Sequence, residues 1–199
     1  MGRRPIFLLF ALLLVVGAWA ALRGVSSSAR PTELPGTILD PPLPAPDFSL
    51  TSAAGPVHLS DLKGKTVVLF FGYTSCPDVC PTTMARLGEA VRALGRDSAK
   101  VQVVMISVDP ETDTPEVIDR YAKAFHPSFL GLTGTADEVA AVASSFWIHH
   151  AKEEGSGHEA MVDHTSTLLV LDKDAGTRLL MPSELSAEEM ARALRVLAR

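Results

Sequence analysis

Cys76 and Cys80 are the only two cysteines of the chain, and both fall in the stretch Phe70-Phe71-Gly72-Tyr73-Thr74-Ser75-Cys76-Pro77-Asp78-Val79-Cys80-Pro81-Thr82-Thr83-Met84. Upstream, Thr66 to Tyr73 is β-branched and aromatic, the pattern of a buried strand. Downstream, Met84, Leu87, Val91 and Leu94 recur at helical spacing. The cysteines thus stand where a strand hands over to a helix. The pattern predicts Cys76 at the helix start, Pro77 in the first helical position, and Cys80 one turn on and on the same face. Free N–H groups and the positive end of a helix dipole lower a thiol's pKa. Both sulfurs are therefore expected as thiolates near neutral pH, converging on one point, where they can oxidise together or hold a soft metal ion.

The plain alternative is two inert buried cysteines. Strand-end exposure, the flanking prolines and the helix-start position argue against it. A structural zinc site normally takes four ligands, and no further cysteine can supply them. A redox dithiol or a site of low coordination number remains. Two thiolates with one imidazole suit monovalent copper, because soft thiolates select Cu(I).

The chain has 199 residues, room for one anchor segment and one domain of ordinary size. The formal net charge is −5 and no basic run occurs, so nucleic acid is not expected as a partner. No period of repeat length recurs, which excludes a solenoid.

Met1-Gly2-Arg3-Arg4 is short and basic, and Ile6 to Leu22 then runs without a charge. That run is at the short end of a membrane span, which takes about 17–25 residues. It reads first as an uncleaved anchor with Arg3 and Arg4 on the cytoplasmic side. The alternative is a secretory signal with a cleavage site at Ala18-Trp19-Ala20. Either way the rest of the chain is exported, anchored to a membrane or secreted, into a compartment where its thiols must be kept reduced or metallated. Residues 1–23 are thus the anchor or signal. Residues 24–45, rich in Ser and Pro, read as an extended tether, with Pro41-Pro42-Leu43-Pro44 favouring polyproline geometry. Residues 46–199 form the folded domain.

Within it, Asp47 to Leu50 and Val57 to Leu59 read as short strands around the turn Ala54-Gly55-Pro56. Val101 to Val108 is almost wholly apolar, a parallel strand buried on both faces. Thr114-Pro115 opens a helix carrying Val117, Ile118, Tyr121 and Phe125. Phe129 to Leu132 is a short strand. Thr135 with Glu138 is a capping box for a helix to about Phe146. Thr167 to Leu171 and Thr177 to Met181 are strands joined by a turn, and Ser186 with Glu189 caps the last helix. The order of elements predicts an α/β domain with a central mixed sheet flanked by helices. A strand running into a helix that opens with Cys-Pro and carries a second Cys is the thioredoxin arrangement, widened by one residue between the cysteines.

Of the six histidines, His164 stands out. It lies in Val162-Asp163-His164-Thr165-Ser166, just before the strand at Thr167. In a thioredoxin-like sheet the loop at that strand's start faces the dithiol, and Asp163 is placed to orient the ring.

At this point the chain resembles the Sco/SenC family of copper-binding proteins. The resemblance rests on Phe71-Gly72-Tyr73-Thr74-Ser75-Cys76-Pro77-Asp78-Val79-Cys80-Pro81, on Ser107-Val108-Asp109-Pro110-Glu111-Thr112-Asp113-Thr114-Pro115, and on Val162-Asp163-His164-Thr165. It covers Pro46 to the C-terminus and implies a thioredoxin-like fold with copper held by Cys76, Cys80 and His164. It further implies a metallochaperone that matures the dinuclear copper centre of cytochrome c oxidase subunit II, or serves another cuproprotein client. Such a protein delivers copper or reduces the client's cysteines. The copper donor and the thiol reductant are not named by the resemblance. The chain departs from the family near the histidine, where aromatic residues are usual and His149-His150 and Ala160-Met161 stand instead. His149, His150, His158 or Met161 are thereby candidate auxiliary ligands, although paired surface histidines are more often plain polar positions.

Two rival chemistries use the same sulfurs. One is a thiol–disulfide oxidoreductase in which Cys76 and Cys80 are the redox pair and copper is incidental. The other is peroxidase chemistry, for which Arg86 is the nearest arginine in sequence. Blander roles are expected elsewhere. Asp78 is a solvated cap or a tuning charge, and Asp109 and Asp113 are loop and cap residues. Met84 and Met105 belong to the core. Trp147 and Tyr73 pack, with Tyr73 close enough to line the site.

Overall fold

The computed structural model describes residues 34–148 and 167–199. Two strands set the core. The first, β4 (Thr66–Gly72), and the second, β5 (Val101–Ser107), are buried at all seven positions each. Side chains of a strand alternate between faces, so burial at every position requires cover on both sides of the sheet. The two pair in parallel from Thr66↔Val101 to Gly72↔Ser107.

The other strands are β1 (Thr37–Pro44), β2 (Ser49–Ser52), β3 (Gly55–His58), β6 (Leu130–Leu132), β7 (Thr167–Leu171) and β8 (Gly176–Pro182). Six form one sheet in the order β1-β8-β7-β4-β5-β6, and β2 with β3 form a separate hairpin. β6 joins β5 in parallel, whereas β7, β8 and β1 run antiparallel to their neighbours. The sheet is therefore mixed, as expected. The helices are α1 (Val79–Ala93), α2 (Pro115–Phe125), α3 (Ala136–Ser145) and α4 (Ala187–Leu197). α1 packs against α4 and α2. Arg195 Nη2 donates to Ala93 O at 2.8 Å, and Arg92 Nη1 donates to Phe125 O at 3.0 Å. α2 lies so close to β6 that a Cβ on Gly131 would come within 2.3 Å of Ile118 O. Met84 and Met105 are fully buried core residues, as their apolar spacing predicted.

One expectation is corrected. Thr37 to Pro44 falls in the stretch whose composition predicts a tether, yet it forms the edge strand β1. Its partners on β8 are Leu180 to Thr37, Leu179 to Ile38, Thr177 to Leu43 and Gly176 to Pro44. Register shifts between Ile38 and Leu43, around Pro41-Pro42. Prolines cannot donate to a ladder, but an edge strand needs donors on one side only, and a shift absorbs the rest. Arg178 Nη1 secures the shifted stretch, donating to Leu39 O at 3.3 Å and Asp40 Oδ1 at 3.0 Å. The folded unit accordingly begins at Leu34 and not at Pro46. The run Ile6 to Leu22 lies outside the described residues. Among the described residues no helix is long and apolar enough to cross a membrane.

Candidate metal centre

β4 ends at Gly72, and the chain leaves the sheet through a turn in which Cys76 N–H donates to Tyr73 O at 3.3 Å. α1 starts at Val79. Cys76 therefore precedes the helix by three residues, and Pro77 lies in the bend ahead of it, two positions before the first helical residue where the sequence pattern predicted it. Cys80 is the second residue of α1. Its N–H, a helix-start donor with no partner inside the helix, donates to Cys76 Sγ at 3.4 Å. Asp78 occupies the N-cap position without a side-chain capping bond. The sulfur of Cys76 thus caps the helix in place of an oxygen.

The two thiols are free and reduced, and they differ. Cys80 is wholly buried and Cys76 is 9% exposed. Burial pushes the Cys80 thiol up to about 12, and the neighbouring Cys76 and Asp113 push the same way. Burial also opposes ionisation of Cys76. The N–H groups of Cys80 and Asp78, the Cys80 thiol and the Tyr73 hydroxyl together outweigh it, and the Cys76 thiol falls below its ordinary value. The expectation that both sulfurs are thiolates near neutral pH at an exposed strand end is corrected. Helix-start donors reach only Cys76, while Cys80 is turned under the helix onto the sheet. Gly72 makes room there: a Cβ at that position would lie 2.9 Å from Cys80 Sγ and 3.2 Å from Met105 Cε. Tyr73 lines the site, as expected, and is itself buried.

Asp113, expected as a loop or cap residue, does lie in the loop, but Thr114 is the cap, its hydroxyl accepting from Val117 N–H at 3.4 Å. Asp113 is buried instead beneath the dithiol turn. Its Oδ2 accepts from Thr74 N–H at 3.0 Å and from Ser107 Oγ at 2.6 Å, and Thr74 Oγ1 donates to its Oδ1. It clamps the end of β5 to the residue two before Cys76. The signal was available in sequence. In Asp113-Thr114-Pro115 the threonine takes the cap, which leaves the aspartate with no local role.

β7 runs antiparallel to β4, with Leu69 opposite Leu169 and Val67 opposite Leu171. The chain consequently enters β7 at the end of β4 from which the dithiol turn departs. His164 is three residues upstream of Thr167 and lies outside the described residues. So do Asp163 and the auxiliary candidates His149, His150, His158 and Met161. Among the described residues no group of three or more His, Cys, Asp or Glu is placed to hold a metal. The described part of the site is a two-sulfur half. Arg86 donates to Ser183 O at 3.2 Å. Trp147, expected to pack, is 65% exposed and adopts a left-handed backbone with φ 57°.

A mixed sheet with a strand–turn–helix dithiol defines a thioredoxin-like domain. The SCO1/SenC family model matches residues 39–199, and the chain belongs to that family. It is similar to apo Sco1 from Thermus thermophilus, with 47% identity, a TM-score of 0.73, and coverage of 81% of this chain and 94% of that one. Copper-bound ScoI from Bradyrhizobium japonicum is 37% identical with a TM-score of 0.71, covering 77% of this chain and 99% of that one. The SCO2-like protein of Rickettsia felis is 34% identical over 171 residues, 84% of this chain and 83% of that protein.

Proposed function

We propose that this chain is a membrane-tethered copper metallochaperone that binds its cargo through Cys76, Cys80 and His164. The observation that carries the reading is the pair of free thiols, Cys76 and Cys80, set where β4 hands over to α1. Two adjacent thiols suit Cu(I) and leave a position for one imidazole. The entry of β7 supports His164 as the third donor, since three residues of extended chain reach about 10 Å at most. The copper-bound state of the Bradyrhizobium relative supports the cargo. The family resemblance supports cytochrome c oxidase, through its subunit II, as the client. The charge-free run after Arg3 and Arg4 supports an anchor that holds the domain on the exported face.

Loading displaces both thiol protons as the two S–Cu bonds form. Low coordination leaves the ion open to attack by a client's thiolates, which take it by stepwise ligand exchange. The test is to load the reduced full chain with one equivalent of Cu(I) and mix it with a dithiol acceptor domain. Transfer to the acceptor within minutes is expected. Copper that stays on the chain against excess acceptor would defeat the metallochaperone reading.

A second reading has its own observation. A near-surface thiol with lowered pKa beside a buried one with raised pKa is the asymmetry of a disulfide reductant. Cys76 sulfur would attack a client disulfide, Cys80 sulfur would displace the client from the mixed disulfide, and two electrons would pass to the client as Cys76–Cys80 oxidises. Client reduction that persists in His164→Ala and is lost in either cysteine variant would favour it. Peroxidase chemistry gains nothing, because Arg86 is engaged with Ser183.

A further inference from the structure

Trp147 is the most exposed large apolar side chain among the described residues. It stands two places past the end of α3. There its N–H donates to Ser144 O at 3.0 Å, and Ile148 N–H donates to Ala143 O at 2.9 Å. That pair of bonds is the Schellman close of a helix, and it puts Trp147 in the left-handed position, φ 57°, that glycine takes without strain. A bulky residue there costs stability. Packing does not offset the strain, because most of the indole faces solvent. The fold therefore gives no reason for tryptophan at this position. Its place does. The ring of Phe146, its neighbour, lies 6.1 Å from that of Phe71, the penultimate residue of β4. Tyr73 follows two residues on, at most about 7 Å of chain, and its carbonyl accepts from Cys76 N–H at 3.3 Å. Trp147 thus stands at the dithiol end of the sheet, where Val79, between the cysteines, is exposed too.

We propose that Trp147 is the anchor by which a protein client docks on the dithiol end, its indole entering an apolar pocket of that client. The inference rests on the copper-transfer reading above and adds a recognition residue to it. Ligand exchange needs the client's sulfurs at Cys76, so the surface that transfer covers is centred there. A standard protein–protein interface buries about 800 Å² on each partner, a patch about 16 Å in radius. Centred on Cys76, a patch of that size extends over the end of the sheet where Trp147 stands. Tryptophan is enriched among the few residues that carry most of an interface's energy. An anchor of this kind touches the client and not the copper, so its removal separates docking from metal affinity. Removal also relieves the left-handed strain, so the fold gains where docking loses. A packing residue cannot give that pair of signs.

The experiment compares the full chain with Trp147→Gly, both reduced, against the copper-free soluble domain of cytochrome c oxidase subunit II. The readouts are melting, Cu(I) affinity against a chelator, affinity for the domain by calorimetry, and the rate of copper passage to the domain and to dithiothreitol. The variant is expected to melt about 2 °C higher and to hold Cu(I) as the wild type does. It should pass copper to dithiothreitol, which has no docking surface, at the wild-type rate. It should bind the subunit II domain about tenfold more weakly and pass copper to it more slowly in proportion. Equal affinity of the two chains for the domain would overturn the proposal. So would a wild-type chain that does not bind the domain, or weaker binding together with a lower melting temperature. A domain bound through Trp147 without copper moving would defeat the metallochaperone reading and leave the anchor standing. Copper moving to the domain equally fast from both chains would do the reverse.

Discussion

Among the described residues, three of the four α-helices start in one way and the fourth in another. α2, α3 and α4 open on hydroxyl caps from Thr114, Thr135 and Ser186. At α3 and α4 a glutamate three residues on completes a capping box, Glu138 Oε2 accepting from Thr135 N–H at 2.8 Å and Glu189 Oε2 from Ser186 N–H at 2.9 Å. No side-chain oxygen caps the start of α1, where Asp78 makes no capping bond, and its N–H at Cys80 meets the sulfur of Cys76. An oxygen cap is the stronger acceptor and serves the fold. A sulfur cap gives up that stability and gains a thiol with a lowered pKa. The difference teaches where this molecule places chemistry ahead of stability. It also shows the compensation: Asp113 holds from below, through Thr74, the turn that no oxygen cap holds from within.

Changes to the sulfur-capped start should fall on copper, and changes to the oxygen-capped starts on stability alone. The largest effect is expected from Cys76→Ser or Cys80→Ser, each weakening Cu(I) by on the order of a thousandfold or more in a chelator competition. Folding should survive, since serine at 76 can still accept from the Cys80 N–H.

Next in size is Asp113→Ala. It strands the Thr74 N–H and the hydroxyls of Thr74 and Ser107 in a buried place, and about 3 kcal/mol of stability should be lost in urea unfolding. Asp113→Asn should recover part of it. A loss under about 0.5 kcal/mol would mean that the turn does not depend on the clamp.

A smaller effect is the pH dependence of copper affinity. The Cys80 thiol, at about 12, keeps its proton throughout the neutral range, so metal must displace it. Affinity should therefore rise with pH, by about tenfold per unit for each thiol proton released. A flat profile between pH 6 and 8, read in the same competition, would contradict protonated Cys80.

The smallest effects belong to the caps. Ser186→Ala and Thr135→Ala should each cost about 1 kcal/mol and leave copper affinity unchanged. Asp78→Ala, at a start that does not use it, should cost less than about 0.5 kcal/mol. A cost at Asp78 equal to that at Ser186 would erase the contrast.

The sheet was legible from residues 66 to 199 because burial on both faces writes itself as unbroken apolar runs, as in Val67-Val68-Leu69-Phe70-Phe71. The caps were legible because Thr135 with Glu138 and Ser186 with Glu189 are local patterns. β1 was not, because proline-rich sequence looks the same in a polyproline tether and in an edge strand, and only the partner Leu179-Leu180 decides. The cysteine pair was legible as a pair. Its inequality was not, since Cys80's burial depends on Gly72 and Met105, which reach it only through the sheet. For Asp113 the free cap position at Thr114 was a sequence signal, but its partner Thr74 lies across the fold and only the structure names it.

The most direct test of the central claim is a Cu(I) titration of the reduced full chain, wild type against His164→Ala, with circular dichroism of both. The account predicts one tightly held copper per wild-type chain, about tenfold or more weaker binding in the variant, and an unchanged fold. Equal affinity in the two chains would contradict it, and would leave Cys76 and Cys80 as a redox dithiol for which copper is incidental.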